Sequence, residues 1–151
     1  MKRRIWYALG GAVVLLGLAQ LIPVGGTNPP SAGEIDAPPE VSAILQRACY
    51  DCHSNKTVWP WYSHVAPVSW LVASDVSEGR EHVNFTEWGK LDAAQRAKKQ
   101  RKAGHEVSEG DMPEWYYVPM HPHARLTDAD RKVIERWGNG PTGGVRSGSG
   151  K

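Results

Sequence analysis

The sequence predicts an all-α fold: one small helical domain over residues 40–138, preceded by a single transmembrane helix. Three observations point there. Apolar residues in the domain recur at helical spacing, as in residues 41, 44, 45, 48 and 49. Residues 5–24 form a twenty-residue run without a charge, long enough to span a hydrocarbon core as a helix. The only two cysteines lie three positions apart, at the end of the first amphipathic stretch and directly before a histidine.

The 151 residues suit one domain plus appendages, and a net charge of +2 gives no ground for nucleic-acid binding. The charge is uneven. From Pro30 to Gly89 eight acids face three bases, whereas Lys90 to Lys102 holds six bases and one acid. Seven tryptophans in so short a chain suit a domain that wraps a large flat apolar ligand.

Taken in order, Lys2, Arg3 and Arg4 form a basic start (residues 1–4) that stays cytoplasmic and sends the rest outward. Residues 5–24 read as an uncleaved anchor. The rival is a signal peptide cleaved near Gly17-Leu18-Ala19. Either way the domain is exported; in a bacterial cell that places it at the inner membrane, on the periplasmic side. Residues 25–39, rich in Gly and Pro, read as a linker without a site. A helix is predicted over 40–52, with Cys49 on its core face. A loop with Trp59, Trp61 and Tyr62 follows, and His64 reads as a surface residue. A second helix is predicted over 67–78, with Val68, Leu71, Val72 and Val76 as its apolar stripe and Gly79 as its stop. Thr86 reads as the cap of a short third helix. Residues 91–107 are strong helix formers with a dense basic face. The last helix starts at Thr127, with Asp130 completing a capping pair and Val133, Ile134 and Trp137 facing inward. Residues 139–151 read as a disordered tail.

Cys49-Tyr50-Asp51-Cys52-His53 is a C-x-x-C-H sequence, the attachment signal for c-type haem. Thiols at this spacing can each form a thioether with one vinyl group of a single haem. His53 then lies beneath the iron as proximal ligand. A redox disulfide would leave His53 without a role. Zinc would require a second close pair, for which only His121 and His123 offer themselves, far along the chain. For the sixth iron position, Met112 is the leading candidate, held on a loop between Gly110 and Pro113. Met120, His121 and His123 are rivals. Arg80 could pair with a haem propionate, and Trp59 and Tyr62 could bond one or pack on the haem edge. Lys98, Lys99, Arg101 and Lys102 could dock an acidic redox partner.

The segments Cys-Tyr-Asp-Cys-His-Ser-Asn (49–55), Trp-Pro-Trp-Tyr-Ser (59–63), Ala-Pro-Val-Ser-Trp (66–70), Val-Ser-Glu-Gly-Arg (76–80), Asn-Phe-Thr-Glu-Trp (84–88) and Asp-Met-Pro-Glu-Trp-Tyr (111–116) together resemble the bacterial haem-binding domain family related to cytochrome c. The resemblance covers residues 40–138. It implies a cytochrome c-like helical domain around one covalent haem, with His53 below the iron and Met112 in the family's Met-Pro position. Glu114 stands where a second proline is common. The expected function is single-electron transfer between unidentified redox partner proteins outside the cytoplasmic membrane, with no catalytic residue of its own. The alternative is a haem enzyme or gas or redox sensor with an open or labile sixth position.

Overall fold

The computed structural model describes residues 2–22, 24 and 26–146, the last two by backbone alone. The described residues are mostly helical, with one two-stranded sheet among them. Helix α1 (Lys2–Ala19) comes first, then strand β1 (Glu34–Asp36), α2 (Pro39–Ala48), α3 (Tyr50–His53), α4 (Val68–His82), α5 (Ala93–Glu109), α6 (Asp128–Gly138) and strand β2 (Gly144–Arg146).

The expected transmembrane helix does not form as such. α1 has eighteen residues, three of them cationic, and ends at Ala19. The remaining fifteen span about 22 Å at 1.5 Å per residue, short of a roughly 30 Å hydrocarbon core. Among the described residues no helix is long and apolar enough to cross a membrane. The physical cause lies at Gln20. Its backbone N–H reaches Leu16 and Gly17 in a turn, and its amide donates to the Leu16 carbonyl. The same amide exchanges two bonds with the Ala66 backbone, turning the chain onto the domain.

Residues 26–36 are laid on the domain rather than hanging free. Ala32 N–H and Ser31 Oγ both donate to the Thr86 carbonyl, and Ile35 N–H to Phe85 O. Part of the expected tail is ordered as well. β2 pairs antiparallel with β1, Ile35 opposite Val145. Buried Gln100 holds the approach to it, donating to Trp137 O (2.6 Å) and Pro141 O (3.1 Å) and accepting from Gly143 N (2.9 Å). Residues 147–151 of the expected tail lie outside the described residues.

The core joins α2, α5 and α6 to the segment after α4. Val41, Ile44, Leu45, Ala48, Phe85, Trp88, Val107, Ile134 and Trp137 are all buried in one cluster. α5 and α6 cross very closely: a Cβ on Gly104 would lie 2.9 Å from the Gly138 Cα, so neither position has room for a side chain. The caps of both helices follow from side-chain chemistry. Asp92 with Gln95, and Thr127 with Asp130, form reciprocal capping boxes, and Gly110 ends α5 at φ +88°.

Two helix expectations change. The predicted 40–52 helix breaks at Cys49 (φ −125°, ψ −30°), splitting it into α2 and α3. The second helix does not stop at Gly79 but runs to His82. Its buried residues are Ser69, Val76 and Gly79, while Val68 and Leu71 of the predicted apolar stripe are exposed. Thr86 caps no helix. Its hydroxyl donates to Asn84 Oδ1 (2.8 Å) and accepts from Asn55 N–H (2.8 Å).

Candidate functional site

Cys49 ends α2 on the core side, so the C-x-x-C-H sequence begins where the apolar face of that helix meets open space. Cys49, His53 and Met112 together border two adjoining hollows. One is walled by Leu45, Ala48, Val83, Phe85, Ala103 and Val107. The other opens over Cys52 between Gly79, Glu114, Tyr116 and Tyr117. His82 and Pro113 also border both.

His53 is oriented by backbone carbonyls. Its Nδ1 lies 2.8 Å from Gly79 O and 3.2 Å from Val83 O. A carbonyl only accepts, so Nδ1 carries the proton and Nε2 keeps a free lone pair. Burial pushes the imidazole below its ordinary pKa, against the two carbonyl bonds that raise it. A neutral imidazole with its second nitrogen tied to a carbonyl is a metal ligand with its orientation already set. The approach of α4 that permits this depends on Gly79: a Cβ there would lie 2.6 Å from the Cys52 carbonyl oxygen. The chain beyond His53 is fastened by Phe85 N–H donating to His53 O (2.8 Å). The Phe85 ring meets the imidazole edge at 6.3 Å and stacks on Tyr50 at 5.9 Å.

Cys49 and Cys52 are free thiols. Burial pushes Cys49 up to about 12, with Cys52 adding to it. Burial does the same to Cys52, also about 12, reinforced by Asp51, Asp75 and Glu114. A thiol–disulfide catalyst needs a depressed thiol, so this environment opposes that reading. Among the described residues no group of three or more His, Cys, Asp or Glu is placed to hold a metal ion.

The rivals to Met112 lie elsewhere. Met120 is exposed. His121 stacks on Tyr117 at 3.9 Å and meets the Tyr62 hydroxyl, while His123 packs edge-on against His121. Met112 is half-buried, packs on the core cluster, and has its N–H bonded to Glu106 O.

Arg80, Trp59 and Tyr62 are not brought to either hollow. Arg80 clamps the preceding segment to the motif loop, donating to Ser54 O, Thr27 O, Asn28 Oδ1 and Thr57 Oγ1 at 2.8–2.9 Å. Trp59 lies under Gly26, and Tyr62 borders a separate, smaller hollow on the outer side of Cys52. His64 is exposed, as expected.

The two hollows differ in charge. Lys99, Lys102 and Glu106 line the first, whereas Asp51, Asp75, Glu78 and Glu114 line the second without a lysine or arginine. Lys99 is held by bonds to Glu81 O and His82 O, and Lys102 has no partner among the described residues. Sequence reading placed these lysines on a solvated helix face that could dock a redox partner. Their one signal was the i, i+3 spacing, which puts both on one side of α5 beside Ala103 and Glu106. Tyr117, whose hydroxyl donates to Asp51 Oδ2 at 2.6 Å, was missed altogether.

These residues fit a haem: an apolar slot, two thiols, a preset imidazole, a thioether, and ammonium groups at one mouth for two carboxylates. Residues 14–139 match the model of a family described as a haem-binding domain. No curated protein matches the chain, and no solved structure does.

Proposed function

The chain belongs to the haem-binding domain family, and on that basis we propose that it is a c-type haem protein that carries single electrons. The observation behind this is the shared border of Cys49, His53 and Met112 on both hollows, with His53 Nδ1 tied to the Gly79 carbonyl. Cys49 and Cys52 would hold the haem by thioether bonds, His53 Nε2 and Met112 Sδ its iron, and Lys99 and Lys102 its propionates. When bound, the haem supplies reversible one-electron oxidation and reduction. The protein excludes water from its faces, fixes the imidazole and tunes the potential. A thioether opposite an imidazole favours the ferrous state.

The proposal extends to place. Ile5–Ala19 presents apolar side chains all round, none buried. That segment holds the domain at a membrane, and the C-x-x-C-H pair of thiols favours the exported side, where c-type haem is attached.

Mass spectrometry of the denatured protein, made with cytochrome c maturation factors, tests attachment: one haem mass stays on the chain, and an unmodified mass refutes it. Met112→Ala tests ligation. The haem stays covalently bound, the long-wavelength band of sulfur-ligated ferric haem disappears, the ferrous form binds CO, and the reduction potential falls. Ready CO binding by the unaltered protein would instead favour a sensor or enzyme with an open iron position.

A further inference from the structure

Residues 57–74 contain no Asp, Glu, Lys or Arg, yet much of the stretch lies on the surface. Val58 and Trp61 are each 74% exposed, Leu71 53% and Val65 45%. Val68 and Trp70 are exposed too. Trp61–His64 forms a short turn that packs on α4, which makes the exposed residues of the turn neighbours of those on that helix. Scattered exposed apolar residues are ordinary, whereas a contiguous uncharged group of this size marks an interaction surface.

The occupant is indicated by what lies next to it. Ala66, in the middle of the stretch, exchanges both backbone bonds with the Gln20 amide just past the end of α1. Gly26 packs on Trp59. The apolar face therefore surrounds the point where the exposed apolar helix meets the domain. We propose that residues 58–71 form a membrane-contact face, seated in the interfacial layer of the same bilayer that holds α1. Indole rings favour that layer, where an apolar body and an N–H donor are both accommodated. The face carries only His64 as a titratable cation, so it suits zwitterionic lipid and needs no anionic headgroup. Asp75 and Glu78, on the later turns of α4, stand over the hollow at Cys52 and keep that mouth turned to water. The inference rests on the membrane placement proposed above and adds to it a fixed side of the domain.

Full-length, haem-loaded protein in phosphatidylcholine vesicles, labelled with an apolar carbene-generating diazirine and mapped by mass spectrometry, tests it. Label should enter residues 57–72 as well as α1. In Trp61→Glu/Leu71→Glu, label in 57–72 should fall at least fivefold while α1 keeps its own. Both positions are exposed, so the double variant folds. Trp115 is 81% exposed beside Asp111 and Glu114 and should remain unlabelled. Label confined to α1 would overturn the contact face and leave the membrane placement standing. If a doubled mass accompanies that pattern, the face belongs to a second copy. Equal label on Trp115 would mean general adsorption and also overturns the proposal. Absence of label from α1 itself would sink the membrane placement.

Discussion

Gly79→Ala probes the contact that sets the His53 ligand. The added methyl would sit 2.6 Å from Cys52 O, 3.1 Å from Cys52 C and 3.2 Å from Cys52 Cβ. Ordinary carbon contacts begin near 3.4 Å, so α4 and the motif must separate by roughly 0.8 Å. The motif backbone cannot retreat alone, because Cys52 N–H and His53 N–H both bond Cys49 O. Overpacking of this kind costs about 1–3 kcal/mol. Stretching the 2.8 Å bond from His53 Nδ1 to Gly79 O adds about 0.5–1.5 kcal/mol. Alanine returns about 1 kcal/mol as the better helix former. The net expectation is a loss of about 0.5–3.5 kcal/mol. Urea unfolding should show a lower midpoint at unchanged slope. A weaker bond to the carbonyl also makes the imidazole a poorer donor, so the reduction potential should rise. A variant as stable as the parent, with an unmoved potential, would refute the reasoning that α4 sets the ligand through this close approach.

Other outcomes follow from the same geometry. Gln100→Leu leaves the half-buried Gly143 N–H and the Pro141 carbonyl without their amide partner, while Trp137 O keeps the Gly140 N–H, a cost of about 1–3 kcal/mol in urea unfolding. Lys102→Gln should lower the reduction potential of the haem-loaded protein, because removing a cation at the mouth favours the ferric state. A potential that does not move would remove Lys102 from the propionate site. Asp130 is held below the usual carboxylate range: burial would raise it, but bonds from Thr127 and Arg47 outweigh that. Its folded value is depressed, so its stabilisation is present above the unfolded carboxylate pKa and is lost as pH falls through the folded one. Asp130→Asn should therefore destabilise at pH 7 and match the parent near pH 2, as read by thermal melts.

Much of the fold was legible because its signals are local. Thr127 with Asp130 caps α6 as the spacing requires, and Val133, Ile134 and Trp137 are buried as the 3.6 period predicts. The motif and Met112 stand in short stretches of sequence, and the fold brings Cys49, His53 and Met112 to the border of the same hollows. What failed depends on distant partners. Gly79 looked like a helix stop, but its missing Cβ serves contact with Cys52. Arg80 looked like a guanidinium open to a cofactor or to solvent, yet four acceptors from two other segments occupy it. Residues 139–146 have a tail's composition, and only the buried Gln100 amide and the pairing with β1 order them. The twenty-residue apolar run carried no sign that Gln20 would bond back to Leu16 and across to Ala66.

These distant contacts converge on five residues. Cys49 to His53 has thiols and an imidazole at the right spacing, but spacing alone leaves the imidazole free to rotate. The carbonyls at the end of α4 remove that freedom, and Lys99 of α5 holds the same turn through Glu81 O and His82 O. From the other side, Phe85 N–H takes the His53 carbonyl, and Asn55 is locked to Asn84 and Thr86. Arg80 then ties the loop after the motif to Thr27 and Asn28. The segment between α1 and the domain is thus part of the support for His53, the proposed iron ligand. A displacement of that segment would reach His53 through two hydrogen-bonded steps, from Thr27 and Asn28 to Arg80 and from Arg80 to Ser54 O, and then along the chain from Ser54 to His53.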